Sequence, residues 1–285
     1  MTSLDRRRFL LASGGLVLAA CGSSGKGASA KGGSGGPYDL APRFARELIV
    51  PGTSRMPFSL AKGGTLLSDG PDVLTGKITD AANKVVVANI SAKRRQVTDG
   101  IVYWDFHPTL ETQGIYTLLI DGGTGDGGAI SVNNPADVPV PHPGQQLPPF
   151  DTPTTSAPAG VNPICTRIKG GPCPFHAITL TQALASGKPV AYLIGTPAHC
   201  QFGTCGPGLE FLINASKRIG DKMAFVHAEV YTDDTATVST PAVDAYKLTG
   251  EPDLFLTDAS GRIVTRLEGA WDQTELDETL NALVS

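Results

Sequence analysis

The 285-residue chain is poor in several things that would announce a function. It has no excess of positive charge: 23 basic residues face 27 acidic ones, for a net charge of −4. Setting aside the three arginines and one aspartate of residues 1–20 takes the balance to −6. A nucleic-acid binder needs a basic face, so the composition points away from nucleic acid. No apolar run is long enough for an ordinary membrane-spanning helix; Leu10–Ala20 is too short. There is no Cys-x-x-Cys and no His-rich tract, and one of the three methionines is the initiator. Few soft ligands are therefore on offer to a transition metal. What is present is a 41% hydrophobic content, with 34 glycines and 22 prolines. That describes a globular protein with many turns and at least one linker, and the length suits about two domains.

The first twenty residues read as a targeting signal rather than as part of the fold. Arg6-Arg7-Arg8-Phe9-Leu10 is a twin-arginine start, and a short apolar region ends in small residues. Leu18-Ala19-Ala20-Cys21-Gly22 resembles a bacterial lipobox, in which Cys21 is acylated and becomes the first mature residue. The plainer alternative is a secretory signal cut nearby, with Cys21 incidental. The resemblance implies a signal over 1–21 and a lipid (palmitate-type) anchor on the extracytoplasmic face of the cell membrane. Residues 22–44, rich in Gly, Ser, Ala and Lys, read as a flexible tether.

Taking Cys21 as acylated leaves Cys165, Cys173, Cys200 and Cys205. An even number outside the cytoplasm favours disulfides. Of the three connectivities, the two local pairs are simplest: Cys165–Cys173 as a structural clip and Cys200–Cys205 as a loop bridge. A zinc site made of all four cysteines fits poorly, because the spacings are seven and four intervening residues. No metal ligand and no cofactor is assigned from the sequence.

Residues 45–134 read as all β. Short strands are expected at Glu47–Val50, Met56–Leu60, Lys84–Ile90, Gly100–Phe106 and Gly114–Asp121, with Ile130–Val132 closing the set. Strands at this spacing without helices suggest a β-sandwich, and Gly114-Ile115-Tyr116 looks like an immunoglobulin-type corner tyrosine. Trp104 and Phe106 read as core, and no catalytic constellation appears, so a binding or docking role is the default. Residues 135–164 form a proline-rich linker, with nine prolines up to Pro163, expected to be stiff and extended.

The second domain, 165–285, centres on Lys188–Pro207. Val190–Ile194 is an unbroken apolar run suited to a strand covered on both faces. Gly206-Pro207 then opens a helix over Gly208–Ile219, which puts Cys205 at or near its N-terminus and Cys200 in the loop before it. Five residues of regular helix rise about 7.5 Å, more than the Cα separation of a disulfide, roughly 4.4–6.8 Å. The intervening Gln201-Phe202-Gly203-Thr204 must therefore bend back, and Gly203 makes that bend cheap. A short helix over Leu180–Ala185 precedes this unit. After it come a strand at Met223–Tyr231, a helix near Pro241–Leu248, strands at Asp253–Thr257 and Arg262–Glu268, and a helix over Thr274–Val284 capped by Asp272. His176 follows the clip; His227, in a strand, reads as a core residue.

This order, with its strand-Cys-helix unit and Gly250-Glu251-Pro252 before a strand, resembles the thioredoxin-like superfamily. The resemblance implies an α/β thioredoxin-like fold for the C-terminal domain. It also implies that Pro252 is the cis proline packed beside redox cysteines. The family's Cys-Gly-Pro-Cys is absent. In one alignment Cys200 takes the nucleophile's place and Cys205 is a displaced resolving cysteine. In the other, Cys205-Gly206-Pro207-Gly208 matches the motif with Gly208 for the second cysteine, and Cys200 pairs from upstream. A helix start favours Cys205 as the lower-pKa thiol; loop exposure favours Cys200 as the accessible one. His199, when protonated, would favour a Cys200 thiolate.

Three functions compete. The first is a lipid-anchored thiol–disulfide oxidoreductase with Cys200, Cys205 and Pro252 in its active site. Its partners would be exported proteins with cysteines or a membrane redox donor. The second is a binding module whose bridge is only a staple, favoured by the altered spacing and by the missing Trp before the first cysteine. The third is copper handling by Cys200, Cys205 and a histidine.

Overall fold

Runs of β-branched and aromatic residues, broken by glycine, aspartate and proline, fold the first half of the chain into strands. In the computed structural model, which describes residues 36–285, these are β1 (Asp39–Pro42), β2 (Gly52–Thr53), β3 (Met56–Lys62), β4 (Thr65–Leu66), β5 (Val73–Asp80), β6 (Val85–Thr98), β7 (Ile101–Phe106), β8 (Thr109–Leu110), β9 (Gly114–Ile120) and β10 (Gly128–Val132). The expected targeting signal over 1–21, with Cys21, lies outside the described residues.

Apart from the short pair β2–β8, the strands form one sheet in the order β1-β3-β7-β6-β5-β9-β10, with β4 added to β3. The long strand β6 pairs with β5 along its first part and with β7 along its last. The sheet therefore curls along β6 until β10 comes close to β1. Gly128 permits that approach, since a Cβ there would lie 2.8 Å from Phe58 and 3.2 Å from Leu40. The result is a nearly closed sheet of the sandwich or barrel kind. Met56, Phe58, Leu60, Trp104, Phe106 and Ile130 fill its interior.

Three details depart from the sequence reading. Glu47–Val50 is not a strand; Arg46–Leu48 forms a 3-10 turn. Asp39–Pro42, inside the expected tether, pairs with β3 through its backbone, which composition does not report. Val73–Asp80 escaped notice because Gly76 interrupts its pattern. A Cβ at Gly76 would meet the Leu119 carbonyl oxygen at 2.3 Å, so the close approach of β9 requires glycine there.

The second half holds β11 (Val190–Ile194), β12 (Ala224–Ala228), β13 (Asp253–Thr257) and β14 (Ile263–Glu268), in the order β12-β11-β13-β14. β11 and β12 run parallel; the other two pairings are antiparallel. Around this sheet lie α1 (Leu180–Leu184), α2 (Cys205–Ile219), α3 (Pro241–Tyr246) and α4 (Gln273–Val284). The two-residue period of β11 sorts its side chains to opposite faces. Ala191 and Leu193 pack with Leu209, Leu212 and Ile213 of α2 and Leu276 and Leu280 of α4. Val190, Tyr192 and Ile194 pack with Leu180 of α1 and Ala242 and Tyr246 of α3. Asp272 caps α4 by accepting from Glu275 N at 2.8 Å.

Helix α2 begins at Cys205, three residues before the predicted helical run, and it packs closely on Trp271. A Cβ at Gly208 would lie 2.7 Å from Cζ2 of that ring. The position where the familiar motif has its second cysteine is therefore closed to any side chain. Gly208→Ala should destabilise the protein by about 1–2 kcal/mol net, because the clash outweighs the gain in helix propensity. Thermal unfolding should show a Tm lower by roughly 5 °C; an unchanged Tm would mean that the Trp271 ring yields freely.

The proline-rich stretch is not a detached linker. Val138, Val140 and Leu147 are buried in the core between β11, α1 and α3, and Leu147 N donates to Gly261 O at 2.9 Å. Prolines keep this segment extended, but its alternating valines give it an apolar side to bury. The described residues accordingly form one compact unit rather than two linked bodies. Its halves are joined through polar side chains from distant parts of the sequence. The Arg55 guanidinium pairs with the Glu275 carboxylate, donating to Oε2 at 2.9 Å, and also to the Glu268 carbonyl at 3.2 Å. The Tyr103 hydroxyl donates to Glu275 and accepts from Asp272 N at 2.8 Å. Arg95 bridges Asp105 at 2.9 Å and Glu278 at 3.1 Å.

Candidate active site

The β11 strand ends at Ile194 and the chain turns through Gly195–Thr204 into α2. Within this loop Gly203 has φ +69°, which lets the chain bend back between the two cysteines. Cys200 is half-buried at the loop's outer side and Cys205 is buried at the first position of the helix. Both are free thiols, as are Cys165 and Cys173. The expected bridges are thus juxtaposed dithiols here: Cys200 Sγ, Cys205 Sγ and a Glu251 carboxylate oxygen lie within 4.8 Å of one another.

The helix start favours Cys200, not the cysteine that occupies it. Cys205 N donates to Cys200 Sγ at 3.3 Å. The positive end of the helix thereby faces the sulfur of the preceding loop. The Cys205 thiol, when its single hydrogen turns to Cys200 rather than to Glu251, and the backbone N–H groups of Cys205, Thr204 and Phe202 favour the Cys200 thiolate, and its pKa falls to about 5 despite partial burial. Burial, then hydrogen bonding with Cys200 and the Glu251 charge, push Cys205 far up. The sequence left open which cysteine is the acidic one; the hydrogen-bond direction decides for Cys200.

Glu251 is the residue that sequence reasoning passed over. Its carboxylate accepts from Thr196 N at 3.0 Å and from the Cys205 thiol at 3.5 Å. Burial, and next the Cys200 charge, raise its pKa to about 7. The signal was in hand, since Glu251 immediately precedes Pro252. A carboxylate in a turn, however, gives no hint that it will face sulfur. The Glu251–Pro252 peptide is cis. Pro252 and Cys205 both border Gly195: a Cβ there would meet Pro252 Cβ at 3.4 Å and Cys205 Sγ at 3.8 Å.

His199 does not join the pair. Its Nε2 faces Asp234 Oδ1 at 3.7 Å and its ring meets Tyr231 edge-on. The third group beside Cys200 and Cys205 is therefore a carboxylate and not the histidine that copper handling would use. Phe202, 54% exposed, stands between two clefts. One is lined by Tyr231, Val243, Leu248 and Glu251, the other by Arg43, Phe44, Thr249 and Glu251. The two clefts meet at Phe202 and Glu251, beside the cysteine loop, and clefts of this kind can seat an extended peptide.

Cys165 and Cys173 lie on the far side of Gly195 with two histidines. His227, on β12, donates through Nε2 to the Gly195 carbonyl at 3.0 Å. Its Nδ1 faces Cys173 Sγ at 3.4 Å, Cys165 Sγ at 3.8 Å and His176 Nε2 at 3.1 Å.

No family model matches the sequence, and no curated protein matches it. Among solved structures, the chain is similar to a thiol:disulfide interchange protein of the thioredoxin family from Chlorobium tepidum TLS. The two are 15% identical with a TM-score of 0.35, over 50% of this chain and 97% of that one. At that score the likeness by itself defines neither fold nor chemistry.

Proposed function

We propose that this protein is a thioredoxin-like thiol–disulfide oxidoreductase with Cys200 as nucleophile and Cys205 as resolving thiol. The observation that carries the reading is the direction of two contacts: a helix N–H donates to Cys200 Sγ, while the Cys205 thiol donates to the half-buried Glu251 carboxylate. The Cys200 thiolate attacks one sulfur of a substrate disulfide, forming a mixed disulfide and releasing the other sulfur as a thiolate, which takes up a proton. Cys205 then yields its proton to Glu251 and attacks Cys200 Sγ. The second substrate thiolate leaves, and a Cys200–Cys205 disulfide remains. Two electrons have passed from protein to substrate; in reverse the same steps oxidise a dithiol. Pro252 closes the pocket beside the resolving sulfur, and the apolar clefts around Phe202 hold the polypeptide on either side.

Substrates in this reading are exported proteins with cysteines, and a membrane redox donor recharges the pair. The twin-arginine start and the lipobox-like Leu18–Cys21 support an acylated, membrane-anchored protein acting outside the cytoplasm. The curled sheet would be the docking half. Its immunoglobulin-like reading rests on Tyr116, whose hydroxyl donates to the Thr112 carbonyl at 2.9 Å, as a corner tyrosine does.

The deciding experiment combines the pair's reduction potential with its alkylation rate against pH. A potential between roughly −120 and −270 mV is expected. Alkylation of Cys200 by iodoacetamide should be flat from about pH 6 to 8 and fall tenfold per unit below about pH 5, since only the thiolate reacts. A potential below about −300 mV would mark the pair as a staple and favour the binding-module reading. So would a rate that climbs up to pH 8.5, as for an ordinary thiol.

A further inference from the structure

The exchange chemistry uses neither Cys165, Cys173, His176 nor His227, yet these four converge from three parts of the chain. Cys165 and Cys173 flank an exposed loop that returns through Gly170 (φ +83°) and Gly171 (φ +73°). Cys173 immediately precedes the 3-10 turn Pro174–His176, which sets His176 three residues on along the same side. His227 projects from β12. All four residues are buried, His227 completely.

Their donor atoms lie within 4.8 Å of one another, with measured separations of 3.1, 3.4 and 3.8 Å around His227 Nδ1. A tetrahedral zinc centre, with Zn–S about 2.3 Å and Zn–N about 2.0–2.1 Å, spaces its ligands roughly 3.3–3.8 Å apart. Hydrogen bonding alone accounts poorly for this convergence. His227 commits its Nε2 hydrogen to the Gly195 carbonyl. Nδ1 is then left with a single lone pair, toward which three atoms converge. One hydrogen bond would use that lone pair once, whereas a cation among the four atoms uses every donor. A simple Cys165–Cys173 clip would not call for two imidazoles.

We infer that Cys165, Cys173, His176 and His227 form a structural Zn²⁺ site that nothing in the sequence reading assigned. Two thiolates and two neutral imidazoles balance the charge of one divalent ion, so the loaded centre is neutral and suits a buried position. Binding releases the two thiol protons. The Gly195 carbonyl holds the His227 ring in the required tautomer, as outer-shell carbonyls do at zinc sites. With four protein ligands the centre is closed, the mark of a structural rather than a catalytic ion. It fastens the Cys165 loop next to the redox loop: the Thr166 hydroxyl accepts from Ala198 N at 3.2 Å and donates to Glu229 at 3.0 Å. The sequence signal was Cys173-Pro174-Phe175-His176, a Cys-x-x-His with a further cysteine eight positions upstream.

The test uses the full chain carrying Cys200→Ser and Cys205→Ser, purified under reducing conditions, so that it does not depend on the redox reading. Zinc content by mass spectrometry should be one equivalent. Co²⁺ added to the zinc-stripped protein should give the thiolate charge-transfer band and the visible bands of a tetrahedral centre, bleached by Zn²⁺. Adding Cys173→Ser, or separately His176→Gln, should lower the affinity by at least tenfold. Should either variant fail to fold, the cobalt spectrum of the parent chain still decides. Three results would overturn the inference: no metal bound at a stoichiometric level, an octahedral cobalt spectrum, or a Cys165–Cys173 disulfide recovered under the same reducing conditions. Binding that survives Cys173→Ser in folded protein would overturn it as well.

Discussion

Replacing Cys200 with serine should abolish turnover on a peptide disulfide with dithiothreitol as the reductant. Given the peptide disulfide with no added reductant, the Cys205→Ser protein should instead complete the first step and stall. The asymmetry follows from the contacts. Cys200 is favoured as a thiolate, chiefly by the Cys205 thiol when its hydrogen turns that way and then by three backbone N–H groups, whereas Cys205 is buried, holds its proton firmly and would in the proposed mechanism yield it to Glu251. Mass spectrometry of Cys205→Ser should therefore show a mixed disulfide on Cys200, and the Cys200→Ser protein should show none. Glu251→Gln tests the proton step separately. It should leave the pH profile of Cys200 alkylation essentially in place while slowing resolution roughly 100-fold, the lower range for general-base catalysis. The sign of the pH dependence is fixed by the same carboxyl. Ionised above about pH 7, it accepts the proton; below that, resolution in the unmodified protein should fall about tenfold per unit. Full turnover in both cysteine variants would remove the enzymatic reading.

Arg55→Ala should have the largest effect on stability. The side chains of Arg55 and Glu275 are each 6% exposed and pair at the junction of the two halves. Truncating the arginine leaves the Glu275 charge buried with only the Tyr103 hydroxyl for support. Removing one member of such a pair costs about 3–5 kcal/mol. For a chain of this size that lowers the Tm by roughly 10 °C in calorimetry. Arg55→Met combined with Glu275→Leu should recover much of the loss, because both buried charges then disappear together. If Arg55→Ala alone leaves the Tm within about 2 °C, the junction is not what holds the halves together.

The candidate site was legible in part. Cys200 and Cys205 stand out in the sequence because a strand, a loop and a helix start follow one another there with cysteines between them, and Pro252 was pointed to only by the resemblance to the thioredoxin-like superfamily. Glu251 did not stand out, although it is the neighbour of Pro252: its role comes from burial next to sulfur, a property of two segments 46 residues apart. The histidines fared the same way. His227 reads as an ordinary core residue on a strand, and only its meeting with the Cys165–Cys173 loop and His176 gives it a chemical setting. His199, adjacent to Cys200 in sequence, proves to face Asp234.

What the sequence determined by itself is local. The unbroken apolar run Val190–Ile194, the proline in the first turn of α2, the cap at Asp272 and the glycine-punctuated strands of the first half are decided by neighbours within a few residues, where steric limits and side-chain periodicity act. The tertiary structure alone decided which thiol is acidic, since that depends on where the Cys205 N–H points after the loop bends at Gly203. It alone folded the proline-rich stretch into the core, because Val138 and Val140 need an apolar surface made by β11, α1 and α3. It also joined the two halves, through a buried ion pair between residues 220 positions apart, a distance over which no sequence pattern reaches.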